Sequence, residues 1–492
     1  MMMMMMMMMF LVILLLLLNN VNSFFNIYHH YTSISSSSYL SMTSTGGGFS
    51  SINGFPDQQT YLDHLQSISS LPKGFSVGNA RFPFKPYEVD KVLPMNLTLI
   101  MTDKPTSSFA AMFTSNEFPG GPIYIGRDRM KNSKTLQAVV VNNKISNVCP
   151  GGSSDYGASD SDKVCEAVAE VLKLPSKNAV FPSSTGIIGW RLPVDAIKGG
   201  VPIAVQNLQS KSIYPAALGI TTTDRYPKVR TVTSKSKKWS VVGIAKGAGM
   251  IEPNMATMLA YILTDLHLSK EVLDRALKSV VTDSFNTISV DGDQSTSDTV
   301  LLLSSEIVPS SSNDDEKEFT EALKEVCVGL AEDIVRNGEG TQHVVKIKVT
   351  GAPNNLFARD LGRFVTNSNL VKCAIAGCDP NVGRIVGAIG SYLGTVPNGK
   401  ELTKGLYVKL GGIDIFRDGA FQLDPAKEKV LSDYLFDAQL FPSDSLENDR
   451  NYPTHFRNVD IEIIMKSGSG SCTVIGSDLT AEYVEVNADY RS

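Results

Sequence analysis

Residues 246–259 read Lys-Gly-Ala-Gly-Met-Ile-Glu-Pro-Asn-Met-Ala-Thr-Met-Leu and lie close to the middle of a chain of 492 residues. The apolar run that follows Thr257, residues 258–263, is typical of a buried strand. A threonine hydroxyl in mid-chain is a poor nucleophile, because no group close to it in sequence can take its proton. Cleavage of the bond between Ala256 and Thr257 would give Thr257 an α-amine, whose pKa of about 7.7–8.0 suits proton transfer near neutral pH. Cleavage of this peptide bond would therefore convert an inert precursor into a candidate enzyme.

The composition is that of an ordinary globular protein. The formal net charge is −5, and 19% of the residues are charged, with no basic stripe interleaved with aromatic residues, so binding to nucleic acid is not expected. The six cysteines form no CxxC pair, and the six histidines show no metal-ligand spacing. We therefore expect buried thiols in a reducing compartment and a reaction that needs no metal ion.

The N-terminal residues 1–52 predict a targeting segment that is not part of the fold. Residues 1–18 are mostly methionine and leucine, residues 19–51 are mostly polar, and no lysine or arginine precedes Lys73. The apolar run is short for a membrane span, which needs about 20 residues, so we expect a cleaved leader and a mature form outside the membrane. The segment lacks the basic residues of signal peptides and of mitochondrial presequences, so its destination stays open. We favour the mitochondrial matrix, with a plastid as the alternative.

Strands and helices follow one another in runs rather than in strict alternation, which favours an α+β fold over a doubly wound sheet. The pattern predicts strands at residues 96–102, 108–114, 136–141, 239–244, 258–263, 288–290, 300–303 and 344–349. It predicts helices at residues 165–174, after Ser269, at residues 319–334 and around residues 363–373, followed by a β-rich C-terminal region. Residues 103–106 are predicted as a turn and residues 310–318 as a surface loop.

Four short motifs have a simple structural explanation when each is taken alone. Residues 246–249 and 182–186 read as tight turns, although the backbone N–H groups of the second turn could also stabilise an oxyanion. Asp291-Gly-Asp293 reads as an acidic turn rather than a cation site, because the other ligands of a calcium loop are missing. Asn337-Gly-Glu-Gly340 reads as the end of a helix, with Glu339 able to project into a cleft.

Together these segments resemble the ornithine acetyltransferase family, the glutamate N-acetyltransferases of arginine biosynthesis. The resemblance extends from about residue 75 to the C-terminus, and residues 246–259 are its most specific part. The other matching motifs follow in the family's order: Ser184-Thr185-Gly186, Thr222-Thr223-Asp224, Asp291-Gly-Asp293 with Ser297-Asp298-Thr299, Gly338-Glu339-Gly340, Asp379-Pro-Asn-x-Gly-Arg384, Asp478-Leu-Thr and Tyr483-Val-x-Val-Asn487-Ala-Asp-Tyr-Arg-Ser492. The chain departs from the family at Cys378, Val382 and residues 120–122, where an acidic residue, a tryptophan and alanines are expected.

The resemblance implies a precursor that cleaves itself between Ala256 and Thr257. The Thr257 hydroxyl would attack the Ala256 carbonyl, and water would hydrolyse the resulting ester. The products would be an α chain of residues 53–256 and a β chain of residues 257–492, assembled as a heterotetramer of two of each. The fold implied is a layered α/β/β/α architecture similar to N-terminal-nucleophile enzymes.

The reaction implied by the resemblance is a two-step acetyl transfer in arginine biosynthesis. Thr257 takes the acetyl group of N2-acetylornithine as an ester, and glutamate then receives it. No bound cofactor is implied, and acetyl-CoA enters only as a second acyl donor, which some members of the family use. By the same resemblance the oxyanion is held by Thr185 and Gly186, and the substrate is bound by Thr222, Lys246, Thr257, Glu339, Asn487 and Ser492.

The charges of the implied substrate suggest how two of these residues divide the binding. A substrate with a carboxylate and an ammonium needs a cation and an anion in its pocket. We therefore assign Lys246 to the carboxylate and Glu339 to the ammonium. Of the adjacent threonines we favour Thr222 over Thr223.

Two other classes of function compete with this interpretation. A self-processing N-terminal-nucleophile aminopeptidase or amidase shares the cleaved threonine, and activity on N-acetylornithine against aminoacyl amides would separate the two. The second alternative is a non-catalytic protein whose central threonine is simply buried. In that case the chain should stay whole. The sequence leaves open the use of acetyl-CoA, feedback by arginine and the oligomeric state.

Overall fold

The computed structural model describes residues 53–252, 258–441 and 450–488. The strands are β1 (Phe75–Phe84), β2 (Leu93–Thr106), β3 (Phe109–Phe113), β4 (Leu136–Asn142), β5 (Val180–Ser184), β6 (Lys228–Thr233), β7 (Ser240–Lys246), β8 (Leu259–His267), β9 (Ile288–Ser289), β10 (Thr299–Pro309), β11 (Val344–Ala352), β12 (Tyr407–Leu410), β13 (Ile413–Arg417), β14 (Ala420–Phe421), β15 (Val459–Ile464) and β16 (Gly470–Ser477). The helices are α1 (Gln58–Ile68), α2 (Gly121–Asn132), α3 (Ala158–Leu172), α4 (Val194–Gln206), α5 (Tyr214–Gly219), α6 (Lys270–Thr282), α7 (Asn313–Arg336), α8 (Asn355–Thr366), α9 (Asn369–Ala376), α10 (Val382–Thr395), α11 (Gly399–Leu402), α12 (Pro425–Asp437) and α13 (Ala481–Ala488). Within these ranges no helix is both long and apolar enough to cross a membrane.

Two sheets pack face to face at the centre of the molecule. The first has the strand order β1-β2-β4-β5, and the second has the order β3-β10-β8-β7-β6. Alternate residues of the strands divide between the two faces of each sheet, as the two-residue period of a strand requires. Val139 and Val141 of β4 therefore meet Tyr261 and Leu263 of β8 in the apolar layer between the sheets.

Helices cover the outer face of each of these sheets. The alternate residues of the first sheet, such as Val140, pack against Val168 of α3 and Ile197 of α4. On the second sheet, Ile262 belongs to the same buried cluster as Leu277 of α6, and α7 packs beside that helix. The layers therefore run helices, sheet, sheet, helices, and the predicted α+β fold with α/β/β/α layers is confirmed.

A third sheet occupies the C-terminal part of the chain. Its seven strands lie in the order β14-β13-β12-β15-β11-β16-β9. Helices α8, α9, α10 and α12 share one buried apolar cluster with this sheet. The short strand β9 comes from the middle of the chain and pairs Ile288 with Ile475 of β16, so it ties the layered part to the third sheet.

Strand β8 is the central strand of the second sheet, and its first residue, Leu259, directly follows the motif at residues 246–258. It pairs antiparallel with β7, with Lys246 opposite Leu259. It pairs parallel with β10, with Thr299 opposite the same Leu259. Every residue of β8 before His267 is buried, which is why this strand reads as a continuous apolar run in the sequence.

Three sequence-based predictions of local structure are wrong. The predicted turn at residues 103–106 is part of β2, because the chain reverses only after Thr106, where the Glu306 carboxylate accepts hydrogen bonds from the Thr106 hydroxyl at 3.0 Å and the Ser107 N–H at 2.8 Å. The predicted loop at residues 310–318 contains the start of α7, which Ser312 caps by accepting a hydrogen bond from the Asp314 N–H.

The third error concerns the helices around residues 363–373. The chain forms two helices there, α8 and α9, with a break at Asn367 and Ser368, because the Asn367 side chain is bound to residues outside the helix. Asn381, in the motif Asp379-Pro-Asn, caps α10, since its side chain accepts from the Arg384 N–H. The C-terminal region contains the predicted strands, and α10 and α12 accompany them.

Two glycine-to-alanine substitutions should move the thermal stability in opposite directions. A Cβ at Gly243 of β7 would lie 2.6–2.9 Å from side-chain atoms of Val326, Ile262 and Leu330, so Gly243→Ala should cost about 1–3 kcal/mol by overpacking. A Cβ at Gly390 of α10 meets no atom within 4 Å, so Gly390→Ala should add roughly 0.5–1 kcal/mol through helix propensity. Calorimetric unfolding of both variants measures this, and a Gly243→Ala protein as stable as wild type would contradict the packing of α7 on β7.

Candidate active site

The predicted site residues that the structure describes gather around the beginning of β8. Lys246 ends β7 beside this point, and its Nζ donates to the Thr185 hydroxyl oxygen at 3.3 Å. Lys246 and Glu339 are also close enough to influence each other electrostatically. The predicted nucleophile Thr257, its neighbour Ala256 and the C-terminal Ser492 lie outside the described residues, as does the predicted leader.

Thr185 and Gly186 present two hydrogen-bond donors at the end of β5. The Thr185 N–H is occupied by the Asn142 carbonyl at 3.0 Å, so the group that Thr185 offers is its hydroxyl. The Gly186 N–H has no acceptor among the described residues. Gly186 has φ +124°, and a Cβ there would lie 2.2 Å from the backbone of Lys144, so only glycine fits the turn.

A buried cluster of charges supports Lys246. Asp224 is fully buried and accepts from the Lys228 ammonium, whose side chain is also fully buried, and from the Gly247 N–H at 2.9 Å. Burial would raise the pKa of Asp224, but the charges of Lys228 and Lys246 bring it down to about 2. Burial also lowers the pKa of the Lys246 ammonium, against the raising effects of Asp224 and Glu339. Through the Gly247 N–H, the Asp224 carboxylate holds the loop after β7 in place.

Glu339 places a buried carboxylate at the same site. One of its oxygens accepts from the Thr223 hydroxyl at 2.7 Å, and the other accepts from Asn487 Nδ2 of α13 at 2.8 Å. A Cβ at Gly249 would lie 2.2 Å from this carboxylate, which explains the second glycine of residues 246–249. The glycine turn at residues 246–249, the loop that carries Thr223 and the C-terminal helix α13 therefore all lie against the Glu339 side chain.

The two adjacent threonines differ in what their hydroxyls do. The Thr223 hydroxyl is used by Glu339. The Thr222 N–H donates to Asp224 Oδ2 at 3.1 Å, while its hydroxyl has no partner among the described residues. The Thr222 hydroxyl is thus the one available to a ligand.

The acidic turn at residues 291–293 anchors the backbone just before the segment that contains Thr257. The Asp291 carboxylate accepts from the N–H groups of Met250 at 2.6 Å and Ile251 at 2.8 Å. Met250 has φ +56°, and these two bonds hold it in that uncommon conformation. The prediction of a structural turn rather than a cation site agrees with these bonds.

Glu252 connects the same segment to the third sheet's helices. Its carboxylate forms an ion pair with Arg363 of α8 at 2.5 Å and also accepts from Asn367 Nδ2. A cavity of about 940 Å³ opens beside this pair and is bordered by Arg384 of α10. The cavity is separate from the candidate site, because neither Lys246 nor Glu339 lines it.

His343, which the sequence did not point to, is a buried residue just after the loop that carries Glu339. His343 Nδ1 lies 2.7 Å from Asp478 Oδ2, and both side chains are fully buried. Burial opposes a charge on the ring, but the hydrogen bond to Asp478 outweighs it and raises the pKa of His343 to about 9. Cys378 Sγ lies 3.8 Å from His343 Nε2, so one departure from the family's pattern lies against this buried charge. No local pattern around His343 signals this pairing, because Asp478 is 135 residues away in sequence.

The grouping of these residues is what acyl transfer requires. The Gly186 N–H and the Thr185 hydroxyl after β5, together with the Lys246 ammonium at the end of β7, can stabilise an oxyanion. The buried Glu339 carboxylate beside them can bind a cationic amine. Such a site in layered α/β/β/α sheets defines an enzyme of acyl-transfer type. Among the described residues no group of three or more His, Cys, Asp and Glu side chains could hold a metal ion, and the metal-free reaction stays a prediction.

Comparison with known proteins agrees with this class. The model of the ArgJ family matches residues 88–492. The arginine biosynthesis bifunctional protein ArgJ of Thermotoga neapolitana is 35% identical over 432 residues, which cover 86% of this chain and all of that protein. The protein of the same name from Bacillus subtilis is 33% identical over 427 residues, covering 86% of this chain and 96% of that protein.

Solved structures of similar proteins include two that match parts of the chain. The ArgJ protein of Bacillus halodurans is 31% identical, covers 47% of this chain and 99% of its own, and superposes with a TM-score of 0.40. The ornithine acetyltransferase of Mycobacterium tuberculosis, solved with ornithine, is 28% identical, covers 38% of this chain and 97% of its own, and has a TM-score of 0.33.

The chain belongs to the ArgJ family. The family model spans most of the chain, and the first relative is matched over its whole length. The family predicted from the sequence is therefore confirmed, and with it the prediction of an acetyltransferase in arginine biosynthesis.

The pairing of His343 with Asp478 predicts a loss of stability at alkaline pH. The folded pKa of about 9 lies above the unfolded value of about 6.5. The charged ring therefore stabilises the fold fully below about pH 6.5, and this contribution, on the order of 3 kcal/mol, is lost as the pH rises through about 9. Unfolding by urea at pH 6 and pH 9.5 measures the change.

His343→Gln should flatten this pH dependence and lower the stability at pH 6. His267→Gln, at an exposed position at the end of β8, is the matched control and should keep the wild-type profile. An unchanged profile in His343→Gln would show that the buried ring is neutral throughout.

Proposed function

We propose that this chain transfers the acetyl group of N2-acetylornithine to glutamate through an acetyl ester on Thr257. The observation that carries the proposal is the arrangement at the start of β8, two residues after Thr257 in sequence. Lys246 and Thr185 lie within hydrogen-bonding distance there, and the Glu339 carboxylate supplies the opposite charge. This combination suits a substrate that has a carboxylate, an amide carbonyl and an ammonium.

The nucleophile is made by cleavage of the chain itself. The Thr257 hydroxyl attacks the Ala256 carbonyl, the peptide C–N bond breaks, and the resulting ester is hydrolysed by water to free the Thr257 α-amine. The products are the α chain of residues 53–256 and the β chain of residues 257–492. Six pairs of opposing residues join β7 to β8, so the two chains would stay associated in one sheet after the cut.

The acetyl transfer uses the freed amine as a base. The α-amine takes the proton of the Thr257 hydroxyl as this attacks the acetyl carbonyl, and it returns a proton to the leaving ornithine amine. The tetrahedral oxyanion is bound by the Gly186 N–H and the Thr185 hydroxyl, and one such donor is worth about 2.7–4 kcal/mol in comparable sites. Glutamate then attacks the ester, completes the cycle and leaves as N-acetylglutamate.

Different polar residues of the site bind different groups of the substrate. Lys246 binds the α-carboxylate, and Glu339 binds the side-chain ammonium of ornithine. Asn487 donates to Glu339 and keeps that carboxylate turned toward the site. The free hydroxyl of Thr222 supports its assignment to substrate binding over Thr223, and Ser492 is assigned to the same pocket by resemblance.

The proposal also covers the cofactor requirement, the assembly and the targeting of the protein. The reaction needs no bound cofactor, and acetyl-CoA serves as a second acyl donor, which the word bifunctional in the relatives' names supports. The assembly is a heterotetramer of two α and two β chains. Residues 1–52 direct import into an organelle, with the mitochondrial matrix favoured over a plastid.

Self-cleavage predicts two fragments that meet at one bond. The intact mass of purified wild-type protein should show chains that end at Ala256 and begin at Thr257, whereas Thr257→Ala should remain one chain because it lacks the attacking hydroxyl. Native mass spectrometry of the same samples tests the heterotetramer. Thr282→Ala removes an exposed threonine at the end of α6 and should be cleaved like wild type; a whole wild-type chain would rule out the mechanism.

Substrate binding by opposite charges predicts large changes in KM. A hydrogen bond to a charged group is worth about 1.5–3 kcal/mol, so Lys246→Ala and Glu339→Ala should each raise the KM for N2-acetylornithine by roughly 10- to 150-fold. Steady-state assays on matured protein measure this. Lys348→Ala, at an exposed position of β11, should leave KM unchanged. Normal KM values in the two site variants would refute the assigned pairing.

A further inference from the structure

Lys372 of α9 holds a buried ammonium at the point where two strands of the third sheet end. Strands β9 and β16 are parallel neighbours, so their carboxyl ends lie at the same edge of the sheet. Lys372 Nζ donates to the carbonyl oxygen of Val290, the residue after β9, at 2.7 Å. It also donates to the carbonyl oxygen of Ser477, the last residue of β16, at 2.6 Å and to the Ser477 hydroxyl oxygen at 3.4 Å. This one side chain therefore joins the two strand ends.

The charge of Lys372 is costly where it lies. The residue is 4% exposed, and its three hydrogen-bond acceptors are neutral. Burial lowers the pKa of the ammonium to about 8, against the raising effects of the charges on Asp478 and Asp291, so the group is charged near neutral pH. An apolar side chain of the same length would avoid the cost of burying an ion. The presence of the charge therefore points to a task for its hydrogen bonds.

The first strand end holds the glycine turn at the candidate active site. The Val290 N–H donates to the Ile251 carbonyl at 2.7 Å, and the neighbouring Asp291 carboxylate accepts from the Ile251 N–H at 2.8 Å. A few residues earlier in the same turn, the Ala248 carbonyl accepts from the Glu339 N–H at 2.9 Å. The position of the turn against Glu339 therefore depends on the end of β9.

The second strand end holds the loop that carries Glu339. The residue after Ser477 is Asp478, and its Oδ1 accepts from the Gln342 N–H at 2.9 Å. The same stretch of chain continues into α13, whose Asn487 Nδ2 donates to the Glu339 carboxylate at 2.8 Å. The buried ammonium therefore lies between the two supports of this carboxylate.

We propose that Lys372 is a positioning residue for substrate binding. It keeps the ends of β9 and β16 together, and so keeps the Glu339 carboxylate where the ammonium of ornithine binds. This role rests on the binding role proposed above for Glu339. Among the described residues, the hydrogen bonds of Lys372 reach neither Thr185 nor Gly186. Its loss therefore affects the binding of substrate more than the acetyl-transfer step.

The test is the steady-state kinetics of matured Lys372→Met, whose side chain has a similar length and no charge. The KM for N2-acetylornithine should rise roughly 3- to 30-fold, the range expected of a residue that acts on a site through its neighbours. The kcat should stay within about threefold of wild type, because the lost interaction contributes to binding alone. Lys429→Met, at an exposed position of α12, is the matched control and should keep both constants.

A double variant separates positioning from a general loosening of the fold. If Lys372 acts through Glu339, then Lys372→Met should change KM by less than about twofold in a Glu339→Ala background, since two residues in one network are not additive. A general loosening would add its full effect. Where Lys372→Met gives no folded, matured protein, Ser477→Ala takes its place. It removes the hydroxyl that bonds both Lys372 and the Val290 carbonyl and should raise KM at least about twofold.

Three results would overturn the positioning role of Lys372. They are a wild-type KM in the folded variant, a fall in kcat larger than the rise in KM, and additive effects in the double variant. A normal KM in Glu339→Ala alone would instead refute the binding role of Glu339 on which the inference rests.

Discussion

The double pairing of β8 is the constraint on which the rest of the structure depends. Hydrogen bonds to β7 on one side and β10 on the other fix where the strand begins. Both ladders start at Leu259, so Lys246 from one neighbour and Thr299 from the other lie beside this first residue of β8. A slip of one residue would turn every side chain of β8 to the opposite layer, so the two apolar layers and the chemistry are fixed by the same register.

Burial gives the charged residues of the site their properties. The side chains of Asp224 and Lys228 are fully buried and Glu339 is buried, and each carboxylate accepts hydrogen bonds from more than one part of the chain. Removing one partner from such a group leaves an uncompensated charge, which costs more than the pair contributes. The loops that carry the site are therefore held in place by the need to satisfy these groups, and His343 with Asp478 extends the same principle to the C-terminal helix.

The sequence predicted the layered architecture better than it predicted the boundaries of individual helices and strands. Strands with two buried faces are continuous apolar runs and were recognised, as in β4 and β8. The turn at residues 103–106 was misplaced because the true reversal is stabilised by Glu306, which lies about 200 residues away. The helices α8 and α9 were merged for a similar reason, since the break at Asn367 depends on contacts with Ser289 and Glu252. Capping by Ser312 could have been found from the sequence, because a serine before a run of acidic residues is a helix-start signal.

The sequence by itself determined the kind of protein, since the motif around Thr257 and its ordered companions identify the ArgJ family and name Thr185, Gly186, Lys246 and Glu339. Only the tertiary structure decided which atoms of these residues are available: the Thr185 hydroxyl rather than its N–H, and the Thr222 hydroxyl rather than that of Thr223. It alone brought Lys372 to the ends of β9 and β16 and His343 to Asp478. The physical reason is that a motif specifies which groups are present, whereas hydrogen-bond occupancy and burial depend on partners distant in the chain, such as Asn142 for Thr185, Glu339 for Thr223 and Asp478 for His343.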